Sequence, residues 1–122
     1  PREAAPDPAP AAFPKQSNGE MGVQVDVTPL NLANTGDPLD FQVVFSTHIV
    51  ELSFDPKTIS VLRDDAGREV PVVAWEGDGP GGHHRTGTLR FKAPSVDTEF
   101  VEVVIRDVAG VPERVFRWNL TE

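Results

Sequence analysis

Apolar side chains recur at every second residue through most of this chain, and that period of two constrains the fold more than any other feature. Val23, Val25 and Val27 share one face of a segment whose other face carries Gln24 and Asp26. The same alternation runs through Leu39, Phe41, Val43 and Phe45, then Val101, Val103 and Ile105, then Phe116, Trp118 and Leu120. Residues two apart line one face of a β-strand, whereas an amphipathic helix needs apolar residues at i, i+3, i+4 and i+7. No segment meets the helical pattern.

The breakers divide the chain at short intervals. Strands are expected over Met21–Thr28, Leu39–Phe45, Ile49–Phe54, Thr58–Arg63, Glu69–Trp75, Thr86–Lys92, Glu99–Arg106 and Arg114–Leu120. Pro29 closes the first of them, and Asn34-Thr-Gly-Asp-Pro38 is turn chemistry. Asp64-Asp65-Ala66-Gly67 joins two strands as a hairpin, and Ala109-Gly110-Val111-Pro112 turns the chain again. Pro71 cannot donate to a ladder, so its strand is expected at a sheet edge or a bulge. Seven or eight short antiparallel strands and no helix point to an all-β, immunoglobulin-like sandwich over residues 21–122. The 122 residues make one domain at most.

Residues 1–20 differ. Five of the twelve prolines fall within the first fourteen positions, and proline fixes φ and removes amide donors. This segment is expected to be an extended Pro/Ala-rich arm or linker, either a tether to an anchor or cleavage site or a docking arm with Pro10, Phe13 and Pro14 as contacts to a partner. The chain opens on Pro1 rather than Met, which suggests processing or a start inside a longer precursor.

Composition narrows the function. A net charge of −8 opposes phosphate backbones, so nucleic-acid binding is not expected. Absence of cysteine excludes disulfides, thiolate metal sites and cysteine nucleophiles. No run of about 18 apolar residues is available to span a bilayer. None of the serines sits in a nucleophile elbow. Paired carboxylates exist by number, but a glycosidase needs a cleft, and a sandwich of about one hundred residues offers little.

Chemistry or recognition concentrates in Trp75–Phe91, WEGDGPGGHHRTGTLRF. The glycines are not a phosphate cradle, because a strand rather than a helix follows. His83 and His84 suggest a metal site, with His48 as a third nitrogen donor and copper or zinc as the ion. Adjacent strand residues face opposite ways, however, so both reach one ion only through a distorted backbone. The other reading has Trp75 and Arg85 in the loop contacting a protein.

Thr47-His48, Arg63-Asp64-Asp65-Ala66-Gly67, Trp75-Glu76-Gly77, Gly81-Gly82-His83-His84-Arg85-Thr86-Gly87-Thr88-Leu89-Arg90-Phe91 and Gly110–Trp118 together resemble a family of small exported bacterial proteins. These are hypothetical lipoproteins or periplasmic proteins. The resemblance covers about residues 22–120 and implies an exported immunoglobulin-like domain. It brings no activity and no functional residue with it.

The expected function is therefore non-enzymatic. It is an accessory or scaffolding subunit of a larger membrane-associated or cell-surface assembly, binding protein partners through its arm and the 75–91 loop. The expected location is periplasmic or extracellular, with the membrane reached through a partner or a removed N-terminal anchor. The alternative is a periplasmic metal-binding domain built on His83, His84 and His48.

Overall fold

The computed structural model describes residues 13–32, 38–95 and 97–120. Pro10 and most of the turn expected at Asn34–Pro38 lie outside them. Eight strands are present: β1 Gln16–Glu20, β2 Val23–Pro29, β3 Leu39–Thr47, β4 Ser60–Asp64, β5 Glu69–Gly77, β6 His84–Phe91, β7 Phe100–Val108 and β8 Val111–Asn119. One helical turn, α1 Pro56–Ile59, precedes β4. Every pairing is antiparallel, in the order β1-β2-β3-β6-β5-β4-β7-β8. The chain is all-β, as the alternation predicts.

The single sheet curls until β1 lies beside β8, nearly closing a barrel. The inward positions are those of the period-two pattern. Val25, Val27, Phe41, Val43 and Phe45 from one half, and Val101, Val103 and Ile105 from the other, are fully buried. Trp118 packs against Phe41 with ring centroids 5.4 Å apart, and Phe41 meets Phe91 edge-on at 5.9 Å. Each such side chain contributes about 1.5–3 kcal/mol through burial.

β5 joins the two halves. Glu69–Pro71 pair with β4, and Val72–Gly77 pair with β6 across a register shift between Val72 and Ala74. Pro71 therefore sits where the strand has one ladder neighbour, next to a bulge, which is where a residue without an N–H belongs.

Three local features depart from the alternation reading. Gln16–Glu20, read in the sequence as the end of the arm, form β1 and pair with β2 from Gln16↔Val27 to Glu20↔Val23. Ile49–Phe54 forms no strand. Its backbone groups instead meet the glycine loop, with Leu52 N–H donating to Gly82 O at 2.9 Å and Gly81 N–H donating to Leu52 O at 2.7 Å. Residues 56–59 form α1 because Asp55 caps it, accepting from Lys57 N–H at 3.0 Å, while Pro56 supplies a helical φ without needing a partner.

The seam between β1 and β8 is closed by side chains rather than a ladder. The Gln16 amide accepts from Arg117 N–H at 3.2 Å and donates to Arg117 O. The Trp118 indole N–H donates to Pro14 O at 2.7 Å. Arg114 is 1% exposed. Its guanidinium donates to Asn18 Oδ1 (3.0 Å), Val23 O (2.8 Å), Glu20 O (3.0 Å) and Val108 O (3.1 Å).

The outer face of β4-β7-β8 carries a lattice of ion pairs. Glu102 accepts from Arg63 Nε at 2.8 Å and from Arg117 Nε at 2.9 Å. Arg106 pairs with Glu113 at 3.0 Å and also reaches Glu69. Val104 faces the same side between these rows, yet it is fully buried, so the long charged side chains roof it. Burial alone would raise the Glu102 carboxyl, but hydrogen bonds from Arg63 and Arg117 outweigh burial and hold it below the usual carboxylate range. A carboxyl with a depressed native pKa adds stability that is fully present above its unfolded pKa, about 4.3 for Glu, and is lost as pH falls through the native value. The urea midpoint should therefore drop as pH falls through and below that range. Glu102→Gln should lower the midpoint at pH 7 and flatten the acid slope. An unchanged slope would mean that other carboxylates carry it.

Candidate functional site

One pole of the barrel is built from the β1–β2 turn, the end of β3 with the segment after it, and the loop between β5 and β6. Its geometry starts at the glycines. Gly77 and Gly87 face each other across β5 and β6, and the Trp75 indole lies over them. A Cβ on Gly87 would stand 2.5 Å from Trp75 Cη2 and 2.8 Å from Gly77 Cα, and one on Gly77 would stand 2.4 Å from Gly87 Cα. Only glycine admits this close approach.

The loop that follows is tied down at several points. Asp78 N–H donates to Thr86 O at 3.0 Å, and Thr86 N–H donates to Asp78 Oδ2 at 3.0 Å. The Trp75 indole N–H donates to Asp78 O at 3.1 Å. Thr47 N–H donates to His83 O at 3.0 Å. Gly81 and Gly82 take φ values of 106° and 79°, which lets the chain turn back toward Leu52.

Arg85 is 2% exposed. It donates to Leu52 O (2.9 Å), Phe54 O (2.6 Å) and Asp78 O (3.0 Å), and its guanidinium lies 5.3 Å from the Phe54 ring centroid and 5.9 Å from that of Trp75. Burial lowers its pKa from the ordinary arginine value, with Asp55 and Asp78 opposing. The sequence reading placed Trp75 and Arg85 at a partner surface. Arg85 instead lies inside, binding the loop to residues 52–54, because its strand position shares the inward phase of Gly87, Leu89 and Phe91. Trp75 is half-buried against the same group.

Phe13 and Pro14 likewise turn toward their own domain. Phe13 is partly buried against the core, and the Pro14 carbonyl accepts from Trp118.

The three histidines do come together at this pole. His48, His83 and His84 line one open groove of about 660 Å³ with Gln24, Asp26, Ser46 and Thr47. All three are exposed. The rows Gly19↔Gln24, Gln24↔Ser46 and Ser46↔His84 carry the groove across four strands. His84 Nδ1 is 3.3 Å from Ser46 Oγ, and its Nε2 is 3.4 Å from Thr86 Oγ1. Both ring nitrogens thus face hydroxyls. Among the described residues, neither ring nitrogen is hydrogen-bonded to a carboxylate. Among the described residues, no three His, Asp or Glu side chains are placed to hold a metal ion together. Gln24, Asp26 and Ser46 were not singled out in the sequence, although each occupies the outward phase of its strand.

No family model, curated protein or solved structure matches the chain.

Beside the groove stand two apolar side chains that face solvent. Ile49 is 71% exposed and Met21 is 68% exposed. Ile49 lies over Gly22, the residue that follows Met21, since a Cβ on Gly22 would meet Ile49 Cδ1 at 2.2 Å. Thr47 fixes both segments, donating through Oγ1 to Gly22 O at 2.8 Å and accepting from Ile49 N–H at 3.1 Å.

Proposed function

We propose that this chain is a non-enzymatic accessory or scaffolding domain that docks a protein partner through the groove pole. It would serve as an exported subunit of a larger membrane-associated or cell-surface assembly. The observation that carries the proposal is two exposed apolar side chains, Ile49 and Met21, each one residue from the lining (His48 and Gly22) of a groove offering amide, hydroxyl and imidazole groups. Apolar anchors beside polar groups of both hydrogen-bonding senses are the ordinary makeup of an interface centre and its rim. The firmly held loop beneath favours the same reading, because a preorganised surface loses little conformational freedom on binding.

The finer architecture we propose is an immunoglobulin-like sandwich. With β1 set aside, β2-β3-β6-β5 and β4-β7-β8 follow the A-B-E-D and C-F-G orders of such domains. That agreement supports the exported, modular reading.

A photoreactive residue placed at position 49, in cells that make the protein, should yield adducts of one discrete mass. The same residue at position 73 should yield none, although Val73 is 54% exposed. Equal labelling at both sites, or no adduct at 49, would overturn the proposal.

A further inference from the structure

We infer that β1 exchanges between two copies of the chain, giving a dimer in which each N-terminal strand completes the other's sheet. This goes beyond partner docking and does not depend on it. Three observations converge on it.

The first is the hinge. β1 joins β2 through Met21 and Gly22, with φ of 54° and 78°. A two-residue turn with both φ values positive strongly prefers Asn-Gly or Gly-Gly. A methionine held there pays the steric cost of the left-handed region. Straightening the hinge into one long strand removes that cost at both hinges of a dimer. Ala109-Gly110 makes a second such turn between β7 and β8, with φ of 55° and 81°. Those strands are the sheet's interior and the partner of the seam, so they cannot leave without unfolding the domain. β1 is the first strand, is five residues long and has a single ladder neighbour.

The second is how β1 is held. Its ladder to β2 is main-chain, and its contacts to the far side come from discrete groups: the Gln16 amide on Arg117, Asn18 and the Glu20 carbonyl on Arg114, and the Pro14 carbonyl on Trp118. Each can be supplied identically by the same residues of a second copy, which is the condition for strand exchange at low cost.

The third is the anchor. Phe13 packs against the core immediately before β1. An exchanged strand therefore carries an aromatic side chain that seats in the recipient, adding apolar burial to the ladder.

The test uses the full chain, which has no cysteine of its own. One population carries a donor dye on Gln16→Cys and another an acceptor dye on Arg117→Cys. Mixed at rising concentration, they should show energy transfer that tracks dimer mass in sedimentation and is chased by unlabelled protein. Met21→Gly, which tolerates the turn without strain, should weaken association at least about tenfold. A chain that stays monomeric at millimolar concentration overturns the inference. So does a dimer that lacks the 16-to-117 transfer and is unmoved by Met21→Gly, since that dimer would be a side-by-side contact. A photo-adduct at position 49 with the mass of a second copy would report this dimer and one of any other mass partner docking, so the two proposals are read separately.

Discussion

Arg114→Leu should lower the free energy of unfolding by about 3–5 kcal/mol, read as a fall in the urea midpoint with little change in slope. The guanidinium is buried and donates to four oxygens drawn from β1, the start of β2 and the end of β7. Leucine fills much of the space but removes all four donations at once. Three of them go to main-chain carbonyls, and a hydrogen bond from a charged group contributes about 1.5–3 kcal/mol. Burial lowers the arginine pKa, with Glu20 opposing, so the site already bears a desolvation cost that these hydrogen bonds offset. Arg114→Lys keeps the charge but cannot span four acceptors with one ammonium, so it should recover only part of the loss. A change under about 1 kcal/mol for the leucine variant would mean that the seam is held by the β1–β2 ladder alone.

Gly87→Ala should cost about 3 kcal/mol, at the upper end for overpacking. The new methyl meets the Trp75 indole at 2.5 Å and the backbone of Gly77 at 2.8 Å. Backbone cannot give way as a flexible side chain can, so the indole must swing out and release its hydrogen bond to Asp78 O. Tryptophan fluorescence and faster amide exchange at Asp78 and Thr86 should report that release. Gly79→Ala serves as the control. Nothing lies within 4 Å of its Cβ position and its φ is not positive, so the change should stay within about 0.5 kcal/mol. Equal effects at both glycines would show that the loop responds to chain entropy rather than to the Trp75 contact.

Much of this fold is legible in the residues. The alternation of Val23–Val27, Leu39–Phe45 and Val101–Ile105 marks strands and inward faces directly, because a period of two has one geometric meaning. Pro71 marks the strand that changes partners. What stays hidden is decided by partners distant in sequence. Gln16-Ser-Asn-Gly-Glu20 has no hydrophobic residue to alternate, and it is a strand only because β2 offers a free edge and β8 offers groups for its amides. Ile49–Phe54 carries enough apolar residues to suggest a strand, but its backbone partners are the glycines of a loop some thirty residues on, which local pattern does not reveal.

The two buried arginines are a different case, since their signal is present. Arg85 is in phase with Gly87, Leu89 and Phe91, and Arg114 with Phe116 and Trp118. Phase places both inside, and the general rule that charged residues lie outside argues the other way. Here phase wins, because main-chain carbonyls converge on each guanidinium. The histidine groove is legible in its members and not in its chemistry. His48, His83 and His84 stand out by residue type. Their surroundings of Ser46, Thr86 and Gln24 emerge only from the register of four strands.

The seam has a further consequence for how the domain is held in space. The Pro14 carbonyl accepts from the Trp118 indole, and Leu120 N–H donates to Glu99 O. Both ends of the described chain thus leave from the pole marked by Phe41 and Trp118, while the histidine groove sits at the other pole, where Glu20 turns into Val23. A label attached at residue 13 or at residue 120 would therefore start out on the side of the barrel opposite the histidine groove.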